Sequence, residues 1–319
     1  MPGEFDLIGR IRARAAAIGD ARGDVVLGIG DDAAVLRLPA DALLVVATDT
    51  LNAGVHFPDD TAPADIGWKA LAVNLSDLAA MGATPAWATL SLSLPRGDVA
   101  WVDAFLDGFL ALAALHRVAL VGGDTTRGPL SVCVTVHGFV EAARVMRRDG
   151  ARPGDDVWVT GTLGDAAAAL AQWRAGAEID AGMRRRLDRP TPRVAFGQAI
   201  ADLAHAGIDV SDGLLADLAH VCDASGVGAV VDVDALPASA ALLAQFDIAL
   251  RRVLQATGGD DYELCFTADP AGRDAILAVS RDIGVDAHRI GHVVAERGVV
   301  ALADGATWTP PRTGYTHFD

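Results

Sequence analysis

The 319-residue chain is poor in cysteine, tyrosine and positive charge, and each shortage excludes something. Its three cysteines, Cys133, Cys222 and Cys265, are scattered, odd in number and form no CxxC pair. That pattern argues against a disulfide framework and a cysteine-based zinc site, and it fits buried thiols in a reducing compartment better. Lys and Arg number 26 against 42 Asp and Glu, a net charge of −16, which argues against a nucleic-acid partner. A small phosphorylated ligand remains compatible if metal ions bridge acidic side chains to phosphate. No uninterrupted apolar run approaches the ~18–20 residues of a membrane span. The N-terminus lacks a signal-peptide core, and Glu4, Asp6 and Asp20 argue against a transit peptide, so a cytoplasmic location is expected. Familiar catalytic signatures are missing too. There is no P-loop, since GTLGDAAAA at 161–169 lacks both the lysine and the spacing, and GIGDDA is not GxGxxG. HRD, DFG, GxSxG and HExxH are likewise missing, and the eight histidines are dispersed.

Hydrophobic residues make up 51% of the chain, ample for packed interiors, and the length favours two domains. Residues 43–48 read as a strand ending at Asp49, 61–81 as a helix with Thr61 as N-cap, and 87–94 as a strand. A helix is expected over 98–115 and strands over 118–121 and 131–140. The basic, then turn-rich segment 144–161 marks a boundary, giving domains 1–147 and 148–319. The second half shows helical spacing from about 164, after Pro192 and from about 212, with strands at 228–232 and 262–267. A helix over 270–283 and two terminal strands complete it. Helices separate most strands, yet some neighbours can be antiparallel, so the expected class is α+β with two α/β domains.

What the chain has in abundance is acidic turns. GIGDDAAVL (28–36) carries Asp31 and Asp32, TDTLNAG carries Asp49, and NLSDLAAMG carries Asp77 on a helix. VGGDTTRG carries Asp124, IDVSDGLLADL carries Asp209 and Asp212, and TGGDDYELCF carries Asp260 and Asp261. Singly, each is an ordinary turn or helix cap. Six together, nearly all at element ends, ask for a common purpose. Two carboxylates ~4 Å apart repel by ~4 kcal/mol at an effective dielectric of 20. Hard divalent cations relieve that, and Mg²⁺ takes one or two carboxylates plus substrate phosphates. Neighbouring glycines let backbone N–H groups approach phosphate oxygens.

In order, GIGDDAAV, TDTLNAGVHF, KALAVNLSDLAAMGATP, GGDTTRGPL, IDVSDGLLADL, GGDDYELCF and the terminal GYTHF resemble the thiamine-monophosphate kinases. Those belong to an ATP-binding group with aminoimidazole ribonucleotide synthetase and selenophosphate synthetase. The resemblance runs from about residue 4 to residue 318. It implies an N-terminal domain whose mixed sheet pairs with its twin in a homodimer, and a C-terminal α/β domain closing over the nucleotide. It implies ATP-dependent phosphorylation of thiamine monophosphate to thiamine diphosphate, with several Mg²⁺ ions. By motif, Asp32, Thr48, Asp49, Asp77, Asp124, Asp209 and Asp212 would hold Mg²⁺. Gly123, Asp124, Arg148 and Ser211 would touch ATP, and His56, Asp260 and Phe318 the thiamine moiety. Two positions depart from the family: Ala47 stands where a Ser or Thr ligand is common, and Asp260 where Glu is usual.

No general base is expected. A phosphate monoester with a second pKa near ~6 is already a nucleophilic dianion at neutral pH. The difficulty is bringing it to a triphosphate, which metal neutralisation and in-line positioning resolve. The alternatives are another enzyme of the same group, a metal-dependent phosphohydrolase and a non-catalytic Mg²⁺ or nucleotide-binding regulator. A selenophosphate synthetase would carry a reactive N-terminal cysteine, and a hydrogenase-maturation relative would end in cysteine; this chain ends HFD.

Overall fold

A computed structural model describes residues 4–20 and 22–316, and the chain divides into two compact units. The first comprises Met1–Leu78 with Ala83–Ala143, the second Ala79–Gly82 with Arg144–Asp319.

The first unit runs α1 (Glu4–Asp20), β1 (Val25–Leu27), β2 (Val35–Leu36), β3 (Ala42–Asn52), α2 (Pro63–Ala80), β4 (Thr84–Leu94), α3 (Val99–His116), β5 (Ala119–Arg127) and β6 (Ser131–Glu141). Its four-stranded sheet has the order β3-β6-β4-β5, with β4 and β5 parallel and the other neighbours antiparallel. Strand β6 alternates buried Val132, Val134 and Val136 with half-buried Ser131, Cys133, Thr135 and His137, the period-2 pattern of a sheet with unlike faces. On the valine face, Leu78 of α2 approaches Gly138. α2 and α3 cross closely because both carry glycine at the contact: a Cβ on Gly67 would strike the carbonyl of Phe105, and one on Gly108 that of Ala64. Helix α3 starts where Asp98 accepts from the N–H groups of Ala100 and Trp101, at 3.0 and 3.1 Å. By length and apolarity alone α3 could cross a membrane. Here its Val102, Phe105, Leu106 and Phe109 are buried, and Arg10 and Arg14 of α1 bind its Asp103 and Asp107.

The second unit runs β7 (Asp156–Thr160), α4 (Asp165–Arg174), α5 (Ala181–Asp188), α6 (Val194–Ile200), β8 (Ala204–Asp209), α7 (Leu214–Ser225), β9 (Gly228–Asp232), α8 (Ala240–Gln245), α9 (Ile248–Thr257), β10 (Leu264–Ala268), α10 (Arg273–Ile283), β11 (Ala287–Val294), β12 (Gly298–Ala303) and β13 (Ala306–Trp308). Its seven-stranded sheet is ordered β13-β12-β9-β11-β7-β10-β8; β12 runs parallel to β9 and the other neighbours are antiparallel. One face (Val157, Val159, Ile208, Val231, Cys265) packs with Leu214, Leu218 and Val221 of α7. On the other, Trp158 stacks with Phe266, which also meets Phe196 of α6. These mixed sheets agree with the expected α+β class.

Several boundaries differ from the sequence reading. Strand β3 continues through Asp49 to Asn52 and β5 through Asp124 to Arg127, because ladder partners on β6 and β4 satisfy the backbone of their polar residues. The α2 helix begins at Pro63, a residue suited to a first turn, so Thr61 lies outside it. The terminal strands number three rather than two, and α1, α5, α8 and α9 were not expected.

Candidate functional site

In the first unit, Asp31 and Asp32 occupy the turn between the paired strands β1 and β2 and are exposed; the Asp32 N–H donates to Asp31 Oδ1 at 2.9 Å. Gly30 sits in that turn at φ +126°, a backbone conformation that favours glycine, with the Arg12 guanidinium beside it. Thr48 and Asp49 are consecutive in β3, so they point to opposite faces of the sheet. The Thr48 hydroxyl lies 2.8 Å from Thr135 Oγ1 and donates to the Val134 carbonyl at 3.1 Å. Asp77 lies on α2, one turn beyond Asn74, whose Nδ2 donates to the Ala70 carbonyl at 3.0 Å. The Asn74 side-chain oxygen is buried without a hydrogen-bond partner. Asp124 is exposed on β5 and accepts the N–H of Thr125 at 2.8 Å. It follows Gly123 at φ +145°, where a Cβ would collide with the Leu90 main chain. His56 accepts the Asn52 N–H on Nδ1 at 3.0 Å, which leaves the neutral ring's proton on Nε2. Its carbonyl accepts from Lys69, the chain's one lysine and a buried one, at 2.9 Å.

In the second unit, Asp209 closes β8, and Ser211 and Asp212 form the turn into α7. Asp217, which the sequence pattern did not mark as a site residue, holds this turn. Its Oδ2 accepts the N–H groups of Ser211, Asp212 and Gly213 at 3.0, 3.1 and 3.0 Å. Burial, with the charges of Asp209 and Asp212, pushes the Asp217 carboxyl up to about 7. The signal was there: an aspartate in the first turn of the helix, able to reach back to the N–H groups ahead of it. The Ser211 carbonyl accepts the Asp260 N–H at 2.8 Å, and the Asp212 carbonyl accepts the Tyr315 N–H at 3.0 Å. The structure therefore gathers Asp209, Ser211, Asp212, Asp260 and Tyr315. Arg148 is exposed in a short 3-10 turn, and its carbonyl accepts from Ser225. Phe318 lies outside the described residues.

Beneath Asp260 the sequence reading missed a buried charge cluster. Glu263 accepts from Thr160, Arg186 and Arg193, and the buried Asp261 accepts the Gly164 N–H. Burial drives the Asp261 carboxyl well above the usual carboxylate range.

Among the described residues, no three His, Cys, Asp or Glu side chains are gathered closely enough to chelate a metal by themselves. The candidate ligands are all carboxylate or hydroxyl oxygens, a donor set that fits Mg²⁺. That ion needs few protein ligands when water and phosphate complete its shell.

A mixed-sheet domain with glycine-flanked aspartates, followed by a second α/β domain with the same device, defines a class. The chain matches the AIR synthase related protein N-terminal domain over residues 30–140 and the corresponding C-terminal domain over 152–304. It is 49% identical to the thiamine-monophosphate kinase of Salmonella typhimurium, across 99% of this chain and 98% of that one. The crystal structure of thiamine-monophosphate kinase from Stenotrophomonas maltophilia superposes with a TM-score of 0.87 at 52% identity, covering 95% and 96% of the two chains. The structure of AaThiL complexed with AMPPCP and TMP matches with a TM-score of 0.76 at 32% identity, covering 99% and 97%. Within the AIR synthase related class, this chain belongs to the thiamine-monophosphate kinase family.

Proposed function

We propose that the chain transfers the γ-phosphoryl group of ATP to thiamine monophosphate, giving thiamine diphosphate and ADP. The near-full-length likeness to thiamine-monophosphate kinases at about half identity carries this reading. The acceptor is a phosphate oxygen already deprotonated at neutral pH, so the reaction needs alignment and charge neutralisation rather than a base. In the first unit Asp32, Thr48, Asp49, Asp77 and Asp124 would hold Mg²⁺, and in the second unit Asp209 and Asp212 would do so. Bound there, it supplies charge neutralisation between donor and acceptor phosphates. Gly123, where no Cβ fits, Asp124, Arg148 and Ser211 serve ATP. His56, Asp260 and Phe318 serve the thiamine moiety. The His56 ring, with its proton fixed on Nε2, offers one donor, and Asp260 offers a carboxylate to a substrate that carries a thiazolium cation.

The chain acts as a homodimer through the outer face of the first unit's sheet. Leu44 and Val46 of β3, 47% and 53% exposed, support this, since they form an apolar edge beside the polar Thr48 and Thr50. The three free cysteines, two of them buried, favour a cytoplasmic setting. A coupled ADP-release assay with and without thiamine monophosphate tests the activity. ADP formation that does not depend on the acceptor would refute it.

A further inference from the structure

Between Gly259 and Leu264 the backbone does something unusual. Asp260 and Tyr262 lie at φ +68° and +51°, in the left-handed region that is uncommon for non-glycine residues and an outlier for a bulky one. Two such residues so close persist only where the surroundings over-determine them. On the main-chain side, the Asp260 N–H donates to the Ser211 carbonyl, the Tyr262 N–H to that of Val210, and the Val210 N–H to that of Glu263, each at 2.8 Å. Asp261 and Glu263 turn inward, 2% and 0% exposed. The Asp261 carboxylate accepts the Gly164 N–H at 3.0 Å on both oxygens.

The anchoring falls chiefly on Glu263. Arg193 grips it with a fork, Nε to Oε2 at 2.6 Å and Nη2 to Oε1 at 2.5 Å. Arg186 adds a bond to Oε1 at 2.8 Å, and the Thr160 hydroxyl one to Oε2 at 2.6 Å. Arg186 also donates to the Thr162 carbonyl at 3.1 Å. A buried carboxylate met by two guanidinium groups is held in one place, since a shift of the turn would unpair charges in a dry interior. Tyr262, itself buried at 7% exposure, meets the half-buried Asp260: its hydroxyl donates to Asp260 Oδ1 at 2.9 Å.

We infer that Tyr262 and the Arg186–Arg193–Glu263 clamp are positioning residues for the acceptor: the clamp holds the strained turn, and the tyrosine hydroxyl fixes the Asp260 carboxylate in one orientation. This rests on the reading that Asp260 contacts thiamine monophosphate. It also gives a physical role to the aspartate at position 260. Its short side chain lies within reach of the hydroxyl two residues on, which takes up its freedom to rotate.

Steady-state kinetics with the full chain tests the inference. Tyr262→Phe raises KM for thiamine monophosphate about fivefold to tenfold, less than the full loss of a hydrogen bond to a carboxylate because the hydroxyl acts through Asp260, and leaves KM for ATP within about twofold. Asp260→Ala raises the same KM, and adding Tyr262→Phe to it costs nothing further, because the hydroxyl acts only through that carboxylate. Arg193→Lys keeps the charge but not the fork, and it too raises KM for thiamine monophosphate more than that for ATP. A Tyr262→Phe enzyme with both KM values unchanged or equally raised, or effects additive with Asp260→Ala, overturns the inference while the acceptor reading stands. An Asp260→Ala enzyme with wild-type KM for thiamine monophosphate removes the acceptor reading and the inference with it.

Discussion

Replacing Asp217 by asparagine should stabilise the metal-free protein, and by an amount that depends on pH. Its carboxyl is raised from 3.8 to about 7, first by burial and then by the neighbouring charges of Asp209 and Asp212. Roughly three pH units at ~1.4 kcal/mol each put the cost of ionising it in the folded chain on the order of 4 kcal/mol. The sign follows from proton counting. Between pH ~4 and ~7 the unfolded chain has released this proton while the native chain keeps it. Wild type therefore loses stability across that window, and the loss is complete above pH ~7. Asparagine never ionises, yet its side-chain oxygen can still accept the N–H groups of Ser211, Asp212 and Gly213. In a chelator-containing buffer, Asp217→Asn should match wild type near pH 4 and melt on the order of 10 °C higher at pH 8. Asp217→Ala, which abandons one buried and two part-buried N–H groups, the buried one at ~1–3 kcal/mol, should melt well below Asp217→Asn at every pH. A melting-temperature difference between Asp217→Asn and wild type that stays constant from pH 4 to pH 8 would refute this reasoning.

Asp49→Asn and Asp77→Asn should each abolish Mg²⁺-dependent ADP formation while the metal-free melting temperature stays at or above that of wild type; retained activity in both would remove them from the metal site. Free thiamine should not turn over where thiamine monophosphate does, because a hydroxyl acceptor needs a base that the site residues do not supply; equal ADP release from the two would sink the mechanism. Arg148→Ala should raise KM for ATP roughly tenfold to a hundredfold, the loss of a charge-assisted contact, with little effect on KM for the acceptor. Burial holds the His116 imidazole below its ordinary value of 6.5, so its contribution to stability is present above pH ~6.5 and lost as pH falls through its folded value. His116→Gln should therefore flatten the decline of melting temperature on acidification, and an unchanged acid slope would show that the ring is not kept neutral.

Much of this protein was legible in one dimension, because the signals concerned are local. The 228–232 strand and the Asp98-capped α3 helix depend on side-chain period and on a cap within three residues of its targets. The oxygen donors of the candidate metal ligands follow from the repeated pairing of aspartate with glycine, and the ordered motifs pointed to the family. What the chain could not disclose depends on partners far along it. Asp49 and Asp124 looked like residues at strand ends, and only the ladders to β6 and β4 carry those strands past them. Pairing also decides that the Thr48 hydroxyl meets Thr135, 87 residues away. Asp217 gained a role only when the turn ahead of it folded back over its carboxylate. Glu263 is the clearest case. Its arginines stand 70 and 77 residues earlier and its threonine 103, so no window of sequence joins them. A charge at zero exposure survives only where the fold delivers opposite charges to it, and that is why the strained turn bearing Asp260 belongs to the tertiary structure alone.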